Sequence, residues 1–220
     1  RIKEHGGSEV MSYEDVEQPQ ATASEVLIKV EAAGINYIDT YQRSGLYQIP
    51  LPATLGLEAS GTVAQIGSDV SRFQVGDRVA YTNVLGAYAE YAAVDQDKVV
   101  SIPDAVSFEE GAAAMLQGCT AHYLSQSTYP IKRGDSCLIH AAAGGVGLIL
   151  IQMAKNAGAY VIGTVSTEEK AELARAAGAD EIILYTQTDF EAEVKRITDG
   201  KGVNVVYDSV GKTTFEKSID

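Results

Sequence analysis

Hydrophobic and polar positions follow two different periods along the chain, one in each half. Before residue 107, apolar and polar positions alternate, as at Val26, Ile28 and Val30, and turns rich in Gly, Pro and Asp separate the runs. A period of two is typical of strands that bury one face. Besides the strand around Ile28, the pattern predicts strands at 61–66, 78–81, 87–94 and 98–102. The N-terminal half is therefore predicted to be an all-β barrel.

Helical spacing begins at Ser107. Ser107 and Glu110 have the spacing of a capping box, and the Ala-rich stretch 111–117 follows them. Gly118 then separates this helix from a second one at roughly 120–126. Because the pattern changes from strands to helices here, we place the domain boundary at this point, which gives domains of residues 1–117 and 118–220.

The C-terminal half alternates short apolar runs with segments at helical spacing. The predicted strands are 136–139, 160–165, 181–185 and 203–207. A helix that Gly158 ends follows the first strand, and later helices are predicted at 168–177, 189–198 and 213–219. Regular alternation of strand and helix predicts a parallel, doubly wound α/β sheet. Such a sheet has its ligand crevice at the carboxyl ends of the strands.

A turn of small residues joins the first of these strands to its helix. Ala142-x-Gly144-x-x-Gly147 has the spacing of the dinucleotide fingerprint, with Ala in place of the first Gly. Backbone in such a turn can approach a pyrophosphate lying on the helix N-terminus. The predicted cofactor-binding turn is therefore Ala142, Gly144, Gly145, Val146 and Gly147. The alternative, favoured by the Ala, is a turn that serves only helix–strand packing.

Composition narrows the classes of partner. A formal net charge of −13 argues against nucleic acids and anionic membranes, since both attract basic surfaces. The most apolar stretch, 137–154, approaches membrane-spanning length, but its glycines and polar residues fit a strand, turn and helix better. Cys119 and Cys137 have no partners at metal-ligand spacing. They predict reduced thiols in a cytoplasmic protein.

Five motifs together resemble one known superfamily. They are Gly-Ile-Asn at 34–36, Asp-Thr-Tyr at 39–41, Arg-Ser-Gly-Leu-Tyr at 43–47, Val-Gly-Asp-Arg-Val at 75–79, and His-Ala-Ala-Ala-Gly-Gly-Val-Gly at 140–147. In this order they resemble the medium-chain dehydrogenase/reductase superfamily, and more narrowly its quinone oxidoreductase, or ζ-crystallin-like, branch. The resemblance implies a GroES-like barrel followed by a Rossmann-type domain. Because family members continue past the position of residue 220, it also implies a sheet truncated at its C-terminal side, and a homodimer where that part is present.

The resemblance also bears on zinc. Zinc-dependent alcohol dehydrogenases of this superfamily carry Cys, His and Cys ligands where this chain has Asn36, Leu57 and Gln117. These three residues cannot supply the thiolate and imidazole ligands of a catalytic zinc site. We therefore expect no metal, and we exclude a zinc alcohol dehydrogenase.

The end of the second strand of the nucleotide domain predicts the cofactor. Enzymes that use NAD usually carry a carboxylate there, whereas this chain has Val165. Ser166, Lys170 and Tyr185 match positions where the family binds a 2′-phosphate, and a Lys charge with two hydroxyls suits that group. NADPH is therefore the predicted cofactor. The alternative for Lys170 is a solvated charge on an exposed helix.

The same resemblance implies the acceptor site. Asn36, Tyr41 and Tyr47 correspond to catalytic positions at the nicotinamide and in the acceptor pocket, and Tyr41 also to a cofactor contact. Their polar groups can orient a quinone oxygen while the rings form an apolar slot. Thr120 corresponds to a threonine beside the nicotinamide, with helix N-capping as its alternative role. Ser209 follows the last strand, where the crevice is expected.

Three functions remain open. The first is an NADPH-dependent quinone oxidoreductase that uses no zinc. The second keeps the fold and cofactor but reduces the carbon–carbon double bond of an enone or alkenal, another small electrophilic acceptor. The third is a non-catalytic, crystallin-like protein that binds NADPH.

Overall fold

A computed structural model describes all residues, 1–220, and the chain divides into two compact units, Arg1–Leu116 and Gln117–Asp220. The first unit holds five strands and one short helix: β1 (Glu25–Ala33), α1 (Tyr37–Ser44), β2 (Glu58–Ile66), β3 (Arg78–Thr82), β4 (Tyr91–Asp95) and β5 (Val99–Ser101). Single 3₁₀ turns lie at Ser8–Val10 and Gln96–Lys98.

The strands of the first unit form one antiparallel sheet in the order β4-β1-β2-β3-β5. Alternate residues of its strands point into one core, as the period of two predicts. That core includes Val26, Ile28, Val63, Val79, Tyr81, Val94 and Val99, all nearly inaccessible to solvent. The sheet therefore confirms the predicted all-β character of this half.

The predicted strand 87–94 is wrong at its start, since β4 begins only at Tyr91. Gly86 has φ of 113°, and the N–H groups of Gly86 and Ala87 both donate to the carbonyl of Gly56. Residues 86–88 are thus tied to another loop rather than to the sheet. Likewise, the strand predicted at 98–102 covers only Val99–Ser101.

Helix α1, which the hydrophobic pattern does not predict, has ordinary boundary signals at both ends. The carboxylate of Asp39 accepts the Asn36 N–H at 2.7 Å across the N-terminus. Gly45 follows the last turn in the left-handed conformation (φ 81°), and its N–H donates to the carbonyl of Gln42. Asn-x-x-Asp before the helix and Gly after it are ordinary boundary signals.

Helix α2 (Phe108–Tyr123) is continuous, so the two separate helices predicted around Gly118 are wrong. Gly118 adopts no left-handed φ, and a β-carbon there would meet nothing. Ala-rich sequence carries the helix through one Gly, whose penalty is about 1 kcal/mol. The capping box is present: Ser107 N–H donates to the Glu110 carboxylate (2.9 Å), and Glu110 N–H donates to Ser107 Oγ (3.1 Å). A π-helical turn, Leu124–Thr128, follows α2.

The second unit is a parallel sheet with helices on both faces. Its remaining elements are β6 (Ser136–Ile139), α3 (Gly145–Ala157), β7 (Tyr160–Val165), α4 (Glu168–Ala176), β8 (Glu181–Leu184), α5 (Phe190–Ile197), β9 (Val205–Tyr207) and α6 (Phe215–Ile219). The strand order is β8-β7-β6-β9. On one face Cys137 and Val161 pack in a cluster with α3 and α4, and on the other Leu138 and Ile162 pack with α5. The doubly wound prediction is confirmed.

The strand order reverses beside β6, because β7 and β8 extend the sheet on one side of it and β9 pairs on the other. Such a switch point opens the crevice that binds ligands in parallel α/β sheets. The segments that follow β6, β7 and β9 therefore frame the candidate site of this unit.

None of the helices combines the length and apolarity that a membrane span requires.

Candidate functional site

The small-residue turn after β6 explains why Ala is tolerated at the first fingerprint position. Ala142 is fully buried, and its N–H donates to the Thr164 carbonyl of β7 at 3.1 Å. Its φ is ordinary, whereas the preceding Ala141 holds the left-handed conformation (φ 50°). Gly144 N–H then closes the turn on the Ala141 carbonyl at 2.8 Å. The position that strains the backbone is therefore Ala141, and Ala142 needs no Gly.

The glycines of the turn make room for close approach. A β-carbon on Gly147 would lie 2.6 Å from the carbonyl oxygens of both Ala141 and Ala142. A β-carbon on Gly145 would overlap the amide of Gln117. Since the first contact is with backbone, which cannot rotate away, Gly147 is required by helix–turn packing as well as by any ligand.

The N-terminus of α3 presents N–H groups without acceptors. Gly144, the N-cap residue, has no side chain to cap the helix. No carbonyl or side chain of the protein accepts from the N–H groups of Gly145, Val146 or Gly147. These donors and the positive end of the helix dipole form the environment in which helices bind phosphate. The turn therefore fits the pyrophosphate of a dinucleotide.

A second set of groups lies at the ends of β7 and β8, on the same edge of the sheet. The Tyr185 N–H donates to the carbonyl of Val165 at 3.2 Å, and the Thr186 hydroxyl donates to that of Ser166 at 3.0 Å. The two strand ends are thus held together. Val165 is buried, and Tyr185 is half-exposed. No carboxylate stands at the end of β7 to repel a phosphate.

Lys170 lies in the first turn of α4. Thr167 caps this helix, its hydroxyl accepting the Lys170 N–H at 3.3 Å. The acidic Glu168 of the same turn is paired with Arg175 rather than with Lys170. The Lys170 ammonium is exposed and forms no ion pair. It is therefore an uncompensated positive charge next to the strand end that carries Ser166.

Thr120 and Ser209 also lie in the second unit. Thr120 sits inside α2, so the alternative role as an N-cap is wrong. Ser209 is exposed in the turn after β9. That turn is shaped by the Asp208 carboxylate, whose Oδ1 accepts the N–H groups of Val210 and Gly211 at 2.9 Å each. Ser209 is thus presented at the carboxyl edge of the sheet.

His140 lies directly after β6, and its place at a strand end favours a structural, hydrogen-bonded histidine over a catalytic one. It is buried, with Nδ1 2.9 Å from Thr164 Oγ1 and Nε2 3.2 Å from Ser218 Oγ. Ser218 in turn donates to Asp208 Oδ2 at 3.0 Å. Burial lowers the pKa of His140, although the Asp208 charge acts in the opposite direction. The imidazole is therefore neutral at physiological pH and links β6, β7 and α6.

The predicted acceptor residues lie in the first unit, on and beside α1. The rings of Tyr41 and Tyr47 make an edge-to-face contact with centroids 5.5 Å apart, and the Tyr47 N–H donates to the Tyr41 carbonyl at 3.0 Å. Asn36 precedes α1, and its Nδ2 donates to Glu58 Oε1 at 2.8 Å. Both phenols remain partly exposed. Asn36, Tyr41 and Tyr47 therefore carry two phenol hydroxyls, one amide and two aromatic rings on and beside helix α1.

The metal-binding capacity of the chain follows from its side chains. Asn36, Leu57 and Gln117 offer two amides and an alkyl group. No group of three or more His, Cys, Asp and Glu side chains is arranged so that it could hold a metal ion. Cys119 and Cys137 are both free thiols, the latter with its pKa raised by burial to about 12.

Comparison with known proteins identifies the family. The alcohol dehydrogenase GroES-like domain family matches residues 22–104, and the zinc-binding dehydrogenase family matches residues 145–220. The quinone oxidoreductase of Pseudomonas aeruginosa is 50% identical over 218 residues, which cover 98% of this chain and 67% of that protein. The chain belongs to the quinone oxidoreductase family of the medium-chain dehydrogenase/reductase superfamily. Its GroES-like and Rossmann-type domains are those expected from the motifs.

Solved structures of quinone oxidoreductases share the fold of this chain. The Escherichia coli quinone oxidoreductase complexed with NADPH superposes with a TM-score of 0.96 at 47% identity, over 99% of this chain and 68% of that one. The 2-haloacrylate reductase of a Burkholderia species is 42% identical and covers 100% of this chain and 68% of that protein. This family member therefore spans about two thirds of the length of these relatives.

Proposed function

We propose that this protein is an NADPH-dependent quinone oxidoreductase that works without zinc. The observation that carries the proposal is the carboxyl edge of the parallel sheet in the second unit. Free N–H donors of α3 lie after β6, and an unpaired lysine with two hydroxyl side chains lies after the neighbouring β7 and β8. We propose that this edge binds two separate phosphate groups.

Each phosphate would have its own set of ligands. The N–H groups of Gly145, Val146 and Gly147 would hold the pyrophosphate, and Lys170 with Ser166 and Tyr185 would hold the 2′-phosphate. Thr120 and Ser209 would contact the rest of the cofactor. When bound, NADPH supplies a hydride, which is two electrons with one proton, to the acceptor. Relatives support this choice, because the E. coli enzyme was solved with NADPH.

The first unit would orient the acceptor. We propose that the Tyr47 hydroxyl and the Asn36 amide donate hydrogen bonds to a quinone oxygen, while the rings of Tyr41 and Tyr47 hold the acceptor by apolar contact. Tyr41 would also contact the cofactor. A quinone is already electrophilic, so its reduction needs no Lewis acid of the kind that alcohol oxidation requires. The amide and alkyl side chains at 36, 57 and 117 agree with that chemistry.

A second function is favoured by one relative. The 2-haloacrylate reductase at 42% identity is named for reduction of an activated carbon–carbon double bond. The same cofactor site and donors in this chain would suit an enone or alkenal, whose carbonyl oxygen accepts the hydrogen bonds. The quinone proposal stands first because the relatives named quinone oxidoreductases reach 48–50% identity.

The acceptor test uses the purified chain with NADPH and a metal chelator, offered 1,4-benzoquinone or an α,β-unsaturated aldehyde. We expect faster loss of nicotinamide absorbance with the quinone, unaffected by the chelator. Tyr47→Phe should slow the quinone reaction about fivefold, the value of one hydrogen bond of about 1 kcal/mol, with little change in NADPH affinity. Tyr13→Phe, at a fully exposed ring, is the matched control.

Three other outcomes of this test would favour a different function or contradict the metal-free chemistry. Faster turnover of the aldehyde would favour the double-bond reductase. Tight NADPH binding with no turnover of either acceptor would favour a non-catalytic, crystallin-like binding protein. Loss of turnover on chelation would contradict the metal-free chemistry.

Assembly and location are also proposals. The family resemblance supports a homodimer where the C-terminal part of the family fold is present, which light scattering of a chain extended through that part would test. The two free thiols support a reducing, cytoplasmic compartment.

A further inference from the structure

Glu58 is a buried carboxylate that the proposed reaction does not use. It is the first residue of β2 and has no exposed surface. No ion pair of the protein includes it. Burying a carboxyl group is costly unless hydrogen bonds satisfy its oxygens. Its position therefore calls for a specific role.

Two donors satisfy Glu58. Its Oε1 accepts from Asn36 Nδ2 at 2.8 Å, and its Oε2 accepts from the backbone N–H of Leu116 in α2 at 2.6 Å. A β-carbon on Gly34 would overlap Oε1, so the carboxylate fits only because position 34 is Gly. The hydrogen bond between Asn36 and Glu58 thus depends on the absence of a side chain at Gly34.

The chemistry of this contact fixes the Asn36 amide. Because Asn36 Nδ2 is the atom that lies 2.8 Å from Glu58 Oε1, the NH₂ end of the amide faces Glu58. A second carboxylate fixes the backbone of the same residue: Asp39 Oδ2 accepts the Asn36 N–H at 2.7 Å and the Tyr88 hydroxyl at 2.7 Å. The backbone N–H and the side-chain NH₂ of Asn36 are therefore each held by a buried carboxyl group.

We propose that Glu58 is a positioning residue that sets the orientation of the Asn36 carboxamide toward the acceptor. One amide hydrogen binds Glu58, which places the second hydrogen and Oδ1 in fixed positions. The inference rests on the proposed function, because Asn36 is assigned to the acceptor there. Glu58 itself acts only through Asn36 and touches neither cofactor nor acceptor.

Glu58→Gln tests the role with almost no change of shape. The glutamine has one acceptor oxygen for two donors, so it can serve Leu116 or Asn36 but not both. We expect about a fivefold or larger fall in kcat with 1,4-benzoquinone, as for a lost hydrogen bond worth 1 kcal/mol or more, and an unchanged Kd for NADPH. In an Asn36→Ala background the same substitution should have no further effect on kcat. Effects of the two substitutions that simply add would overturn the proposal.

A second readout does not depend on activity. In the ¹⁵N-labelled chain, the Asn36 NH₂ signals, assigned by their loss in Asn36→Ala, should exchange slowly with solvent and should become fast-exchanging in Glu58→Gln. Unchanged Asn36 signals in Glu58→Gln would overturn the proposal. If the wild-type chain fails to oxidise NADPH with any quinone as acceptor, the proposed function is wrong. The Asn36 NH₂ signals still decide the role of Glu58 in that case. Glu31→Gln, which removes an exposed ion pair with Lys29, is the control expected to alter neither readout.

A double variant covers the case in which Glu58→Gln unfolds. Asn36→Asp combined with Glu58→Gln exchanges donor and acceptor across the same contact, and the glutamine oxygen can still accept from Leu116. We expect its thermal midpoint to recover toward that of the wild type, but not its quinone turnover, because the amide donor at 36 is gone. A midpoint no higher than that of Glu58→Gln would overturn the proposal.

Discussion

At the scale of single residues, one substitution within the Rossmann-type site determines the expected cofactor. Val165 stands at the strand end where a carboxylate would bind a ribose hydroxyl, and Lys170 next to it has no counter-ion. We propose that both features favour a 2′-phosphate, the first because no carboxylate repels it and the second because the ammonium attracts it. They were readable from the sequence because they lie at fixed distances from the fingerprint turn.

Lys170→Ala should therefore separate the two nicotinamide cofactors. A charge-assisted hydrogen bond is worth about 1.5–3 kcal/mol, so we expect NADPH affinity to fall roughly 10- to 100-fold. NADH affinity should change less than about twofold, since NADH has no group for this lysine to bind. Nicotinamide fluorescence titrations of both cofactors measure the difference.

The matched control is Lys132→Ala, at another exposed lysine of the same unit that forms no ion pair. It should leave both affinities unchanged. An equal loss for NADPH and NADH in Lys170→Ala would remove Lys170 from the phosphate site and leave it a solvated surface charge.

Glu58 shows what residue-level reading of the sequence misses. Its partners Asn36 and Leu116 are 22 and 58 positions away along the chain. No local period or motif joins residues so far apart, and only the pairing of β1 with β2 and the course of α2 bring them together. A glutamate at the start of a strand otherwise indicates an ordinary exposed position.

At the scale of elements, the parallel sheet was predictable and two helices were not. The alternation of apolar runs with helical spacing gave each strand of the second unit to within a few residues, because burial on both faces leaves a continuous apolar run. Helix α1 was missed because the side chains that it buries, Asp39 and Gln42, are polar rather than apolar. Helix α2 was divided wrongly because Gly118 is a stop signal only where the backbone turns left-handed.

The turn between β6 and α3 makes opposite predictions for two neighbouring small residues. Gly147→Ala should lower the free energy of unfolding by roughly 1–3 kcal/mol, since its β-carbon would lie 2.6 Å from two carbonyl oxygens. Ala141→Gly should raise it by roughly 0.5–1 kcal/mol, because relief of a left-handed alanine (about 1–2 kcal/mol) exceeds the entropy lost by glycine.

Denaturant unfolding of both variants beside the wild type measures these changes. A stabilised Gly147→Ala would contradict the described packing of the turn, and a destabilised Ala141→Gly would contradict the left-handed strain at Ala141. Gly144→Ala, whose β-carbon would meet only the Ala141 carbonyl at 3.1 Å, is the mild comparison.

At the scale of the whole molecule, the change of period near residue 117 predicts an all-β part followed by an α/β part. The chain has 30 acidic against 17 basic residues, so an anionic cofactor is not held by general attraction. We propose that local donors hold it instead, namely the N–H groups of α3 and the Lys170 ammonium. The acceptor and the assembly cannot be predicted this way, because they depend on side chains that converge from distant parts of the chain.

One titration tests most directly whether this chain is an NADPH-dependent quinone oxidoreductase. NADPH and NADH are added separately to the purified chain, binding is followed by nicotinamide fluorescence, and 1,4-benzoquinone is then added to each complex. We expect at least about tenfold tighter binding of NADPH, which corresponds to about 1.4 kcal/mol, and rapid loss of its fluorescence once the quinone is present. Equal or tighter binding of NADH, or NADPH that stays bound and reduced after quinone is added, would contradict the proposed function.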